Sequence, residues 1–150
     1  MSEQDPIRVF VTHTFSNHPD YHRVFEYLES SPNFFYKNLS DLEARPVGPG
    51  KEGLKETYRN QIGGAEVVVV LSSLFLSDEY WVTYQMDAAQ AADLPIVAVE
   101  PFGGNGEVPE EVRRRAAEVV GWNERNIVDA LRRQARHEDT TRWDTIEFKL

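Results

Sequence analysis

The side chains best equipped for chemistry lie at predicted strand ends and on one helical turn. Trp81 and Gln85 are four residues apart, so on a helix they project from the same face. A tryptophan at a helix start more often packs into the core than against a ligand, so this pair alone is ambiguous. His13, His18 and His22 raise the question of a metal, because His18 and His22 are one turn apart. With no cysteine in the chain and no carboxylate set beside them, solvated surface histidines are the plainer reading, and no metal is expected. His13 differs in lying at a strand end. Ser72 and Ser73 lack a GxSxG elbow, and serines after a strand usually cap or satisfy backbone groups. Gly48-Pro49-Gly50-Lys51-Glu52-Gly53 lacks the P-loop spacing, and no glycine fingerprint follows the first strand.

These residues are spaced by alternating strand and helix patterns. Ile7 to Val11 reads as a strand, and Tyr21, Val24, Phe25 and Leu28 recur at helical spacing after Pro19 until Ser30-Ser31-Pro32. Residues 33–39 predict a second strand, followed by a loop from Ser40 to Gly50. Leu54, Tyr58 and Ile62 mark a helix stopped by Gly63-Gly64. The run from Val67 to Leu71 is aliphatic throughout, the pattern of a central strand covered on both faces. A helix over 81–93, a strand over 94–99, a short helix over 110–117, a brief strand over 118–121 and a helix over 123–136 complete five βα units. Right-handed crossovers then predict an α/β, doubly wound, flavodoxin-like parallel sheet in the order 2-1-3-4-5 with helices on both faces. In such a sheet ligands bind beyond the carboxyl ends of the strands, here the segments 12–17, 38–50, 72–81 and 101–106. The tail from Trp143 to Leu150 alternates apolar and polar, which predicts an edge strand or an oligomer contact.

Composition narrows the classes. The chain has 150 residues, 41% hydrophobic and 27% charged, which suits one globular core. Its formal net charge of −9 repels a phosphate backbone, so no nucleic-acid partner is expected. Apolar runs are too short to span a membrane and the acidic start is unlike a signal peptide, which predicts a cytoplasmic protein. Thiolate and disulfide chemistry need cysteine, which is absent. A receiver domain of the same fold would need acidic residues after the first strand and an aspartate ending the third, where Thr12-His13-Thr14 and Leu71-Ser72-Ser73 stand.

Four segments carry a resemblance. Val9-Phe10-Val11-Thr12-His13-Thr14-Phe15, Phe34 to Ser40 and Glu118 to Asn123, together with Trp81 to Gln85, are similar to the TIR (Toll/interleukin receptor) family, in its bacterial branch from Thoeris antiphage defence. It covers roughly residues 7–135, so residues 1–136 are read as a TIR-like domain and 137–150 as a tail. The resemblance implies an enzyme that cleaves NAD, as substrate rather than cofactor, into an ADP-ribose-derived signal for a separate effector, with self-association through TIR surfaces. It also implies a site of His13, Phe15, Asn38, Ser40 and Trp81 around the ligand, with Gln85 in the place of the catalytic glutamate. A neutral amide stabilises an oxocarbenium-like transition state poorly, and loss of such a partner costs about 3–4 kcal/mol, roughly a hundredfold or more in rate. Gln85 is therefore read as an engineered Glu→Gln change in an impaired enzyme, or as a natural feature of a non-catalytic member. Two other functions stand beside this one: a TIR scaffold or interaction module, and a nucleoside deoxyribosyltransferase-like enzyme, which would also need a carboxylate.

Overall fold

In the computed structural model, which describes residues 1–103 and 107–139, the all-aliphatic run Val67–Leu71 is the third strand, β3, and every one of its residues is buried. Its neighbours are β1 (Ile7–Val11) on one side and β4 (Ile96–Val99) on the other; β2 (Tyr36–Asn38) and β5 (Glu118–Val120) lie at the edges. All four pairings are parallel, in the order β2-β1-β3-β4-β5. The register runs Val9 to Asn38 and Val9 to Val67 around β1, then Leu71 to Val99 and Val99 to Val120 outward. The expected fold class is thus present.

Helices close both faces. On one, α1 (Pro19–Ser30) packs against α6 (Glu124–Arg136); on the other, α2 (Gly50–Gly63) packs against α4 (Glu79–Ala91). The short α5 (Glu110–Arg115) lies along β4 and is tied to α4 by Arg115, whose guanidinium meets Asp87 at 2.5 Å. Apolar spacing in α1 and α6 places Tyr21, Val24 and Leu28, and Ile127, Val128 and Leu131, in the core. Both helices begin with a side-chain cap: His18 Nδ1 accepts from Asp20 N–H at 3.0 Å, and Asn123 Oδ1 from Asn126 N–H at 3.0 Å.

Two local details differ from expectation. The second strand is only three residues, because Asn33 turns with φ of 61° and delays pairing until Tyr36. Ser72 to Ser77 form a helical turn, α3, directly after β3, within the segment 72–81 that was expected only as the connection beyond the strand end. The glycines at 48, 50 and 53 serve backbone packing: a Cβ on Gly53 would sit 1.7 Å from the Gly48 carbonyl oxygen, and Gly50 has φ of 64°. The edge strand expected over 143–150 lies outside the described residues.

Candidate functional site

The carboxyl ends of β1 and β2 and the helices α1, α2 and α4 converge on one corner, where two glutamine side chains brace the loops. Gln85, on α4, is fully buried. Its Oε1 accepts from His13 N–H at 3.0 Å, and its Nε2 donates to His13 O at 2.9 Å and to Trp81 O at 3.0 Å. The carboxamide thus pairs with the His13 peptide as a neighbouring strand would, using the same one-donor, one-acceptor pattern. Tyr58 OH adds a bond to His13 O at 2.7 Å. This corrects the expected role of position 85: the side chain lies in the packed interior, its polar atoms face backbone, and it presents nothing to a ligand. The amide is also the chemistry the position needs, so no engineered change is required to account for it.

Gln61, on α2, braces the loop after β2 in the same manner. Its Oε1 accepts from Asp41 N–H at 3.1 Å and its Nε2 donates to Asp41 O at 3.2 Å. The same Oε1 lies 2.8 Å from His13 Nε2. His13 Nδ1 accepts the Phe15 N–H at 3.2 Å, which leaves the ring proton on Nε2, donated to Gln61. Burial lowers the His13 pKa to about 4, against the opposing effects of Gln61 and Asp41, so the ring is neutral at pH 7. His13, 1% exposed and bonded at both nitrogens, is a positioning group rather than the ligand contact expected.

Phe15, Asn38 and Ser40 do come together. They line a cleft of about 370 Å³ with Tyr21, Asp41 and Glu43, a volume within the range of small-molecule sites. Phe15 holds φ of 58°, an uncommon conformation for a bulky residue, and its ring packs on Tyr58 with centroids 5.0 Å apart. The cleft floor is a polar net: Asn38 Nδ2 donates to Tyr21 OH at 3.1 Å, Tyr21 OH lies 2.9 Å from Ser40 Oγ, and Ser40 donates to Asn38 Oδ1 from its backbone N–H at 2.9 Å and from its hydroxyl. Trp81 is not among the lining residues; its ring centroid lies 5.7 Å from that of Tyr58, the ring on which Phe15 also packs. Of the paired histidines, His18 caps α1 while His22 reaches Asn17 at 3.0 Å, and no metal-capable cluster occurs among the described residues.

The carboxylates of the cleft are Asp41 and Glu43. Asp41 Oδ1 accepts the Glu43 N–H at 3.0 Å in an Asx turn. Its other oxygen and the Glu43 carboxylate have no partner among the described residues, and the lining contains neither lysine nor arginine. Sequence reasoning reached this loop through the strand-end rule but missed both acids, along with Tyr21 and Gln61. An acid pair directly after the second strand was the available signal.

A larger depression of about 690 Å³, beside Glu66, Asp93 and His137, lies at the amino ends of β3 and β4. We assign the site to the smaller cleft, because ligands of open parallel sheets bind at the carboxyl edge and Glu66 is already paired with Arg136 and Arg8. No helix among the described residues is long and apolar enough to cross a membrane.

No family model and no curated protein matches the chain. Solved structures similar to it include the Clostridium botulinum CMP N-glycosidase BcmB, at 11% identity over 83% of this chain and 96% of that one, with a TM-score of 0.49. The likeness is too distant to assign any residue a role here.

Proposed function

We propose that the chain is an enzyme of the N-glycosidic bond, acting on a nucleoside-type substrate in the cleft between the loops after β1 and β2. The observation that carries this reading is the pair of acids: Asp41 Oδ2 and the Glu43 carboxylate are unpartnered among the described residues and share a cleft with the Phe15 ring. When the bond from C1′ to the base breaks, the base leaves with the electron pair and the sugar becomes oxocarbenium-like. Asp41, held by its turn and by Gln61, is the carboxylate to face that cation. The departing base takes its proton from water, whose hydroxide adds at C1′ to complete the hydrolysis, with Glu43 lining the same cleft. Phe15 offers an apolar face to a base or sugar, and Asn38 offers its second Nδ2–H to a sugar hydroxyl.

The absence of lysine and arginine from the lining favours an unphosphorylated nucleoside over a nucleotide or the diphosphate of NAD. It also separates this reading from NAD cleavage through position 85, where the side chain is buried and engaged.

The test is base release, measured by chromatography on a panel of ribo- and deoxyribonucleosides, their 5′-monophosphates and NAD. Nucleosides should yield free base at least about tenfold faster than their monophosphates, one factor of ten being about 1.4 kcal/mol. Asp41→Asn should lower the rate by about a hundredfold. A folded protein that releases no base from any of them, or an Asp41→Asn variant of undiminished rate, refutes the proposal. Nicotinamide release alone would return the NAD reading to first place, and inactivity combined with self-association would favour the scaffold.

A further inference from the structure

We infer that Gln61 is the positioning residue of this cleft: one carboxamide sets the loop that carries Asp41 and, through the His13 ring, the loop that carries Phe15. The inference rests on the function proposed above and goes beyond it in assigning the cleft's geometry to a side chain that does not line it.

The geometry is a relay of four hydrogen bonds. Gln61 meets both backbone polar groups of Asp41, at 3.1 and 3.2 Å, and His13 Nε2 at 2.8 Å; His13 Nδ1 then holds the Phe15 N–H at 3.2 Å. The two walls of the cleft come from different strands, and Gln61 is the group bonded to both sides. Asp41 is exposed and sits in a loop without regular structure, so its carboxylate owes its orientation to this brace and to its own turn. Phe15 needs the brace for a different reason, since its φ of 58° persists only where neighbouring contacts hold it. The arrangement requires a carboxamide. Leucine removes all three Gln61 contacts. Glutamate keeps the two accepted bonds, loses the donation to Asp41 O and places a negative charge on His13 Nε2.

That charge supplies a distinctive readout. The groups facing the His13 ring are Asp41 from the loop after β2, Tyr21 of α1 and Tyr58 of α2, with Gln85 of α4 on its backbone. Asp41 is the one carboxylate among them. A carboxylate at position 61 favours the protonated ring, and an imidazolium carries a proton on Nδ1, which would then oppose the Phe15 N–H.

The experiment compares wild type with Gln61→Leu and Gln61→Glu, following nucleoside base release from pH 5.5 to 8.5 and amide exchange at Asp41 and Phe15 by NMR. Gln61→Leu should lose about ten- to a hundredfold in kcat with KM changed less than about threefold, because displacement of a catalytic group by an ångström acts on the reaction more than on binding. Its Asp41 amide should exchange at least about tenfold faster. Gln61→Glu should show an added ionisation, losing activity as pH falls through the neutral range, that wild type lacks. If Gln61→Leu does not fold, the pH profile of Gln61→Glu decides. An active wild type whose variants keep kcat within twofold, or whose Gln61→Glu profile superimposes on its own, overturns the inference. An inactive wild type overturns the proposed function instead, and unchanged Asp41 exchange in Gln61→Leu would then also remove the brace.

Discussion

Replacing Gln85 by glutamate separates a buried brace from a lost catalytic acid. In the native protein the carboxamide accepts one hydrogen bond from His13 N–H and donates two, to His13 O and Trp81 O, at 2.9 to 3.0 Å and with no solvent exposure. An ionised glutamate keeps the accepted bond and turns both donations into contacts between oxygens. The protein avoids this by keeping the acid protonated, so the folded-state pKa rises from about 4.3 to 7 or above. The sign follows from proton uptake. With the pKa raised on folding, stability is retained below about pH 4 and lost as pH rises toward the folded value. At pH 7 a rise of about 2.7 units costs about 3.7 kcal/mol, and the protonated acid, with a single proton to donate, forgoes one further bond worth about 1 kcal/mol. Gln85→Glu should therefore be about 4–5 kcal/mol less stable than wild type at pH 7 and about 2 kcal/mol less stable at pH 5. Urea unfolding followed by tryptophan fluorescence at both pH values measures the difference. A loss below about 1 kcal/mol at both would show that the side chain reaches solvent, and a gain in nicotinamide release from NAD without loss of stability would place a catalytic acid at this position after all.

Two further outcomes follow from the packing. His13 has its pKa lowered to about 4, so its contribution to stability is fully present above the unfolded value of 6.5 and is lost as pH falls through 6.5 toward 4. The loss amounts to about 3 kcal/mol by pH 4. Urea midpoints between pH 7 and 4.5 should fall more steeply in wild type than in His13→Asn, and parallel profiles would contradict the buried neutral ring. Gly53→Ala forces a methyl group to within 1.7 Å of the Gly48 carbonyl oxygen, which the chain relieves by moving backbone at a cost of about 2–4 kcal/mol. Its melting temperature should drop by about 5–10 °C, while Gly63→Ala, with open space around its Cβ, should match or exceed wild type.

The five-stranded order was legible because β3 is aliphatic at every position and each strand is followed by a helical repeat. That combination leaves a parallel, two-faced sheet with right-handed crossovers. The segments 12–17 and 38–50, which hold Phe15, Asn38 and Ser40, were legible as the carboxyl edge for the same reason, whereas the choice of those three residues came with the TIR resemblance. Local signals misled where a special conformation intervened, as at Asn33, whose positive φ shortens β2.

The destination of Gln85 was not legible. Helical spacing puts it one turn from Trp81 but does not say which side of the helix meets a loop 72 residues earlier in the chain. Gln61 is a parallel case, reaching back 20 residues to Asp41 and 48 to His13. A carboxamide in sequence looks equally suited to ligand, solvent or peptide. Strand propensity and hydrophobic period settle the sheet because they act between near neighbours, whereas the partner of a polar side chain depends on how helices dock across it. Docking brought His13 and Asp41 within reach of these glutamines and left the Asp41 and Glu43 carboxylates on the open side of the cleft.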